Sequence, residues 1–282
     1  MEDLVIVTAE DLITQKLISG KDILGEIKNP TDSADTRLLE VAKERSYLIE
    51  FDSVQVLSRQ SPLYPNPTLN HYALARFLRK NNITAYKGLD LGCGAGFLGN
   101  YSVQELGIKE VVFSDLHPEA LNQSLFAFQI NQDIDLESCL QTPLRDGIRI
   151  SAPKHSIELR CGPSQNTMQG YDGEDGIALA APMYLPGICE IFPQAYEVFA
   201  YTAKNIGARL FIGHSSLAKD LIERAADRFG MSLNARNEQE VPFVAEYEDY
   251  RKNKGNLDEL VKKGLVVRGE DLYHDLMVSE LR

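Results

Sequence analysis

The sequence lacks tryptophan, has few cysteines and carries less positive than negative charge. The absence of tryptophan excludes no class of protein. The four cysteines are widely spaced and form no C-x-x-C pair, so we predict neither a metal site nor a redox dithiol and expect reduced thiols. With 29 basic and 41 acidic residues, the net charge of −12 opposes nucleic acid at long range. We therefore expect a protein or a small molecule as partner.

The sequence also lacks a segment suited to a membrane or to secretion. The longest apolar stretch, residues 176–192, is interrupted by Pro182, Pro186 and Glu190, so it is too broken to cross a bilayer. Residues 1–4 are acidic where a secretory signal would be positively charged. We expect a cytoplasmic protein without a membrane partner, and the oligomeric state stays open.

The length and composition fit one large α/β domain with a smaller appendage. With 282 residues, 44% hydrophobic and 25% charged, the chain is typical of a globular protein. We predict an N-terminal cap with a hairpin over residues 1–60 and a main domain over residues 61–282. Polar insertions are expected at about residues 132–155 and 245–263.

The N-terminal part is predicted to be helical up to about residue 47. Thr8-Ala9-Glu10-Asp11 resembles a capping box that opens a short helix, and residues 36–45 form a second helix with one apolar side. Short apolar runs at residues 47–51 and 54–57 flank a two-residue polar turn. This pattern predicts a hairpin.

The main domain alternates strands with helices, which is typical of a parallel sheet with helices on both faces. The fold class that we predict is therefore a Rossmann-like three-layer α/β sheet. The predicted strands are residues 87–91, 110–114, 156–160, 176–180 and 208–213. The predicted helices are residues 68–80, 96–106, 118–130, 190–205 and 216–229.

A glycine-rich segment, Leu89-Asp90-Leu91-Gly92-Cys93-Gly94-Ala95-Gly96, follows the first main-domain strand. Glycines there allow a sharp turn into a helix and a close approach of the backbone to a ligand. The next strand is followed by Asp115, whose carboxylate can accept hydrogen bonds from the hydroxyls of a ribose. Together they predict a cofactor with a nucleoside. Gly94-Ala95-Gly96-Phe97-Leu98-Gly99 also fits the dinucleotide pattern, so the loop alone is compatible with a nicotinamide.

Asp90 distinguishes between these two kinds of cofactor. The form Asp-x-Gly-x-Gly-x-Gly resembles motif I of class I S-adenosylmethionine-dependent methyltransferases, in which an acid binding the ribose follows at the place of Asp115. The resemblance implies that Asp90 and the glycine loop hold the methionine part of S-adenosyl-L-methionine. The predicted cofactor-binding residues are Asp90, Gly92, Cys93, Gly94, Gly96, Asp115, Leu116 and Ala181.

A closer resemblance follows the fourth main-domain strand. Ala181-Pro182-Met183-Tyr184-Leu185-Pro186 is similar to the Asn-Pro-Pro-Tyr-Ile-Pro segment of the HemK/PrmC glutamine methyltransferases. The order of a helical region, a hairpin and a Pro-Asn-Pro segment before the main domain is similar too. The resemblance covers about residues 45–230 and implies an acceptor site lined by Ala181 to Tyr184.

The departure from that family at Ala181 has a chemical consequence. The family's asparagine accepts a hydrogen bond from the target amino group, and Ala181 has no side-chain acceptor. Loss of such an oriented contact costs roughly 100-fold in rate where the chemistry depends on it. Either the nucleophile is not a planar amide, or another residue supplies the acceptor. The predicted substrate-binding residues are Asn70, His71, Pro182, Met183 and Tyr184.

Tyr184 and His214 are the catalytic candidates. Tyr184 could stack on a planar substrate, or only pack at the end of a strand. His214 follows the fifth strand, at the edge where such sheets bind ligands, and could act as a base or be structural. We predict a methyltransferase that acts on a protein side chain or a small molecule. The alternatives are a protein that binds the cofactor without turnover, an NAD(P)-dependent oxidoreductase and an RNA methyltransferase.

Overall fold

The structure, a computed structural model, describes residues 4–8, 47–58, 67–134, 136–182, 193–242, 258, 260–269 and 271–282. The chain divides into two compact units: Met1–Pro67 with Asn82–Thr167, and Thr68–Asn81 with Met168–Arg282. Among the helices whose residues are described, none has the length and apolarity needed to span a membrane. The proposed boundary at residue 60 stays a prediction.

The bounds of the elements are as follows. The helices are α1 (Leu69–Lys80), α2 (Phe97–Gln104), α3 (Pro118–Gln132), α4 (Ser164–Thr167), α5 (Pro193–Ile206) and α6 (Lys219–Phe229). The strands of the first unit are β1 (Leu4–Thr8), β2 (Tyr47–Phe51), β3 (Val54–Ser58), β4 (Lys87–Leu91), β5 (Glu110–Asp115), β6 (Leu140–Leu144), β7 (Gly147–Ser151) and β8 (Ser156–Cys161). Those of the second unit are β9 (Ile177–Ala180), β10 (Arg209–Ser215), β11 (Leu233–Pro242), β12 (Val266–Arg268) and β13 (Asp271–Leu281).

The first unit contains two sheets. Strands β1, β2 and β3 form a small antiparallel sheet in that order. The larger sheet has the order β4-β5-β8-β7-β6, in which β4, β5 and β8 run parallel and the last two strands are antiparallel. Strands β4 and β5 are buried along nearly their whole length, as is typical of central parallel strands that are covered on both faces.

The second unit has its own run of strands, in the order β9-β10-β13-β11. Strands β9 and β10 are parallel, and β13 is antiparallel to β10, β11 and β12. Helix α1 packs on β10 and β13, and its side chains Leu74 and Leu78 are fully buried. A side chain at Gly213 of β10 would overlap the carbonyl of Asn70, so the helix approaches the strand through this glycine.

The small sheet of the first unit is attached to α2 and α3. The ring of Phe51 lies 5.8 Å from that of Phe97, and the Tyr101 hydroxyl donates a hydrogen bond to Asp52 at 3.0 Å. The Asn131 side chain accepts from the Gln55 amide at 2.8 Å and donates to the Gln55 carbonyl at 2.7 Å. The amide of Asn131 therefore occupies the edge of β3 as a neighbouring strand would.

The prediction of a main domain with alternating strands and helices is confirmed, with bounds that differ by a few residues. The predicted hairpin at Tyr47–Phe51 and Val54–Ser58 is also confirmed. The helical prediction is wrong at Leu4–Thr8, which is a strand paired with β2. Five residues rich in valine and isoleucine favour a strand over a helix start. The predicted helices before residue 47 lie outside the described residues.

The insertion predicted at residues 132–155 contains a hairpin, β6 with β7, that closes through Arg145-Asp146. Its β6 residues are largely exposed, so no apolar alternation marks them in the sequence. The second insertion is described only at residues 258 and 260–263, where helical residues precede the turn into β12.

Candidate functional site

The glycine loop joins β4 to α2 and lies against the end of β5. The amides of Gly92 and Cys93 both donate to the carbonyl of Ser114, at 2.8 and 3.0 Å. The chain then turns through Gly94 and Gly96, whose φ angles of 52° and 76° are left-handed and favour glycine. A side chain at Gly96 would also come within 2.6 Å of Ser124 on α3. The loop thus needs glycine for conformation and for space.

Asp115 ends β5 beside this loop. One of its carboxylate oxygens accepts from the Gly94 amide at 3.0 Å, and the other accepts from the His117 amide at 3.0 Å. Each oxygen has a second lone pair, so the carboxylate can still accept two hydrogen bonds from a ligand. The neighbouring Leu116 is 61% exposed and adds an apolar side chain beside the carboxylate. Asp115 and Leu116 together place a polar and an apolar side chain at the C-terminal end of β5.

Asp90 lies on the other side of the loop and is buried. Its carboxyl oxygen accepts from the Gly99 amide at 2.8 Å, in the first turn of α2. Burial, and secondly the charge of Asp115, raise the pKa of Asp90 to about 8, although the Gly99 amide lowers it. In the protein without ligand this acid is therefore mostly protonated at neutral pH.

Two side chains behind the loop were not predicted from the sequence. Ser124 of α3 lies 3.2 Å from the carbonyl of Gly94 and 3.3 Å from the sulfur of Cys93. Asn100 of α2 donates to the carbonyl of Gly96 at 2.8 Å. Burial raises the pKa of Cys93 well above its usual value, so its thiol stays neutral. Both polar side chains occupy helix-interior positions, where only the packing of the fold reveals their contact with the loop.

The remaining candidates lie in the second unit or outside the described residues. Ala181 and Pro182 directly follow β9, and Ala181 is buried. Met183 and Tyr184 lie outside the described residues. The roles of these four residues stay a prediction.

His71, in the first turn of α1, acts as a cap for that helix. Its Nδ1 accepts from the Thr68 amide at 3.1 Å, which places the proton of the neutral ring on Nε2. Burial lowers the pKa of His71 to about 4. In this arrangement neither ring nitrogen has a lone pair left for a substrate. Asn70 precedes it and is partly buried.

His214 lies inside the second unit and is fully buried. Its Nδ1 donates to the Ser215 carbonyl at 2.9 Å, and its Nε2 accepts from the Ser279 hydroxyl at 2.8 Å. Burial lowers its pKa to about 4. The ring thus connects β10 to β13, and we leave it out of the proposed chemistry.

No protein-family model and no curated protein matches the sequence. Among solved structures, Trm1 from Pyrococcus horikoshii, in complex with S-adenosyl-L-methionine, matches with a TM-score of 0.51 at 12% identity, over 83% of this chain and 61% of its own. A SAM-dependent methyltransferase from Agrobacterium tumefaciens gives 0.47 at 12% identity, over 83% and 69%. A proposed RNA methyltransferase from Pyrococcus horikoshii gives 0.47 at 13% identity, over 79% and 92%.

The match to Trm1 establishes the fold: this chain has the Rossmann-like α/β fold found in class I methyltransferases. The chain spans 61% of the length of Trm1, so the whole activity of that protein is not transferred. The resemblance to the HemK/PrmC family is not confirmed by this match and stays a prediction. Function therefore has to be argued from the loop, Asp90 and Asp115.

The burial of His214 generates a prediction for stability. With a pKa of about 4, His214 is protonated at a lower pH in the folded protein than in the unfolded chain. Its contribution to the free energy of unfolding is therefore complete above pH 6.5 and is lost as the pH falls toward 4. We expect this effect of His214 to lower the free energy of unfolding by about 2 kcal/mol between pH 7.5 and pH 5. Urea unfolding between pH 7.5 and 5 measures this. The variant His214→Gln should show a shallower decline, and equal declines would contradict the prediction.

Proposed function

We propose that the chain is a methyltransferase that uses S-adenosyl-L-methionine as its cofactor. The observation that carries the proposal is the Asp115 carboxylate, oriented by the Gly94 and His117 amides with a lone pair left on each oxygen. Such a carboxylate suits the two hydroxyls of a ribose. Leu116 provides an exposed apolar side chain beside it, on which a purine can pack.

The charges around the loop favour S-adenosylmethionine over a nicotinamide dinucleotide. Between Leu89 and Gly99 there is no lysine or arginine, while Asp90 and Asp115 flank the loop. A dinucleotide would bring its pyrophosphate next to a loop without a cationic side chain, and its negative charge would oppose the ionisation of Asp90. S-adenosylmethionine carries no phosphate and has a cationic ammonium and a cationic sulfonium. The charged and polar groups at this loop therefore suit S-adenosylmethionine better than a nicotinamide dinucleotide.

The residues described around the loop are proposed to bind and orient the cofactor. When bound, S-adenosylmethionine supplies an electrophilic methyl group, which needs alignment more than acid or base chemistry. Asp115 and Leu116 would hold the adenosine part, and Asp90 with the loop amides would hold the amino-acid part. The close packing of α2 on β5, where a side chain at Gly99 would overlap the Phe113 ring, keeps the loop rigid. A rigid loop places the donor at a constant position.

The acceptor that we propose is a protein side chain or a small molecule without a planar amide. The side chain of Ala181 cannot accept a hydrogen bond from an amide nitrogen, and His71 has its Nδ1 occupied by Thr68. The net charge of −12 opposes RNA at long range, although one of the matched structures is a proposed RNA methyltransferase. We therefore expect the methyl group to reach an amine, a thiol, a hydroxyl or a carboxylate.

The acceptor class can be measured by methyl transfer. Incubation of the protein with methyl-labelled S-adenosylmethionine and separate pools of RNA, protein and small metabolites should label the protein or metabolite pool. The matched control is the same reaction with the variant Asp115→Asn, which should label neither. Label that enters RNA would contradict the proposed acceptor while leaving the proposed cofactor intact.

Cofactor binding is tested by calorimetric titration with S-adenosylhomocysteine. Asp115→Asn should weaken binding roughly 100-fold, because hydrogen bonds from two hydroxyls to a charged acceptor are replaced by weaker ones. Asp133→Asn is the matched control: Asp133 ends α3 in a left-handed conformation that asparagine tolerates, so binding should be unchanged. Absence of binding by the unaltered protein at millimolar ligand would refute the proposed function.

The raised pKa of Asp90 predicts proton release on binding. The acid is mostly neutral below its pKa of about 8, and the ammonium group of the ligand favours its ionised form. At pH 7 we expect close to one proton to leave per S-adenosylhomocysteine bound, about fivefold tighter binding at pH 8 than at pH 7, and little release above about pH 9. Titrations in buffers of different ionisation enthalpy measure the release.

Two controls separate Asp90 from other groups. Methylthioadenosine, which lacks the ammonium group, should bind without releasing this proton. Asp90→Asn keeps an oxygen for the Gly99 amide and should abolish the release with S-adenosylhomocysteine. If proton release is the same in that variant, another group is its source and the role given to Asp90 is wrong.

A further inference from the structure

Ser124 is a buried polar residue in the middle of α3, directly behind the glycine loop. It is fully buried, and its hydroxyl lies 3.0 Å from the carbonyl of Ala120, one turn earlier in the same helix. The same hydroxyl lies 3.2 Å from the carbonyl of Gly94. The first contact is one that any helical serine can make, whereas the second connects the helix to the loop.

The contact with the Gly94 carbonyl determines where the next amide points. The described peptide bonds are trans, and in a trans peptide the carbonyl and the N–H point in opposite directions. When Ser124 holds the carbonyl of Gly94 from behind, the N–H of Ala95 must face away from α3. The Asn100 side chain donates to the carbonyl of Gly96, two residues further on, at 2.8 Å, so the turn is held at both of these glycines.

The Ala95 amide has no protein acceptor in the described part of the chain, although Ala95 is only 4% exposed. Most buried amides are paired, so an unpaired one next to Asp90 and Asp115 points to a ligand acceptor. Asn100 gives a second sign. Its Oδ1 is buried without a partner among the described residues, a cost that stability alone does not explain.

We propose that Ser124 is a positioning residue that directs the Ala95 amide toward the carboxylate at the amino-acid end of the cofactor. The inference rests on the proposed function and deepens it. Ser124 acts through the Gly94–Ala95 peptide and does not itself contact the cofactor. The role is specific to ligands with that carboxylate, because the adenosine part depends on Asp115 and Leu116.

The chain offers a matched control in Ser102 of α2. Ser102 is also buried in a helix interior, and its hydroxyl donates to the carbonyl of Leu98, one turn earlier, at 2.7 Å. Ser102→Ala and Ser124→Ala therefore remove the same type of helix contact, and only the second removes a contact with the loop.

Calorimetry with two ligands tests the proposal. Ser124→Ala should weaken S-adenosylhomocysteine roughly tenfold, the loss of one oriented hydrogen bond, and leave methylthioadenosine within about twofold. Ser102→Ala should leave both ligands within about twofold. Unchanged affinity of Ser124→Ala for S-adenosylhomocysteine overturns the inference, as does an equal loss for both ligands, which would indicate general distortion. If the unaltered protein binds neither ligand, the proposed function itself fails.

A measurement on the unaltered protein covers the case in which Ser124→Ala does not fold. The Ala95 amide hydrogen, followed by nuclear magnetic resonance, should gain at least about tenfold protection from exchange with S-adenosylhomocysteine beyond that seen with methylthioadenosine. Equal protection by the two ligands would show that this amide does not meet the carboxylate and would overturn the inference.

Discussion

The hydrogen bond from the Gly94 amide to the Asp115 carboxylate is the interaction on which the site depends. It joins the loop after β4 to the end of β5, two neighbouring parallel strands. The carboxylate is thereby held in one orientation, and the loop backbone takes its position from the strand. The carboxylate that we propose binds the ribose thus also anchors the loop that we propose binds the amino-acid part. The other contacts of the loop refine this arrangement.

The loop is also enclosed from behind. Helix α3 contributes Ser124 and helix α2 contributes Asn100, and the two side chains contact the carbonyls of Gly94 and Gly96. Polar groups on the loop are therefore divided between its two sides, with carbonyls bound by the protein and the Ala95 amide left for a ligand. This division suits a cofactor whose amino-acid end combines a carboxylate with an ammonium group, because Asp90 can serve the second of these.

The sequence predicted most of the main-domain elements and the turn conformation of the glycine loop, because both depend on local patterns. Several of the parallel strands contain short apolar runs, and the loop is a glycine motif followed by Asp115 at the end of the next strand. The strand Leu4–Thr8 and the hairpin β6–β7 were missed. Both have weak local signals. The strand Leu4–Thr8 is a five-residue run next to an apparent capping box, and the β6–β7 hairpin is exposed and lacks alternating apolar residues. Ser124 and the burial of His214 depend on contacts between elements distant in sequence, which no local pattern contains.

The attachment of the small sheet to α2 bears on how this protein could be divided or recombined. Phe97 and Tyr101 belong to the helix that carries the cofactor loop, yet part of their cover comes from Phe51 and Asp52. A fragment that began at the main domain would expose two aromatic rings beside its own active-site helix. A graft from a relative would need a hairpin shaped to those rings. The small sheet and the helix that carries the loop would therefore have to be transferred together in such a graft.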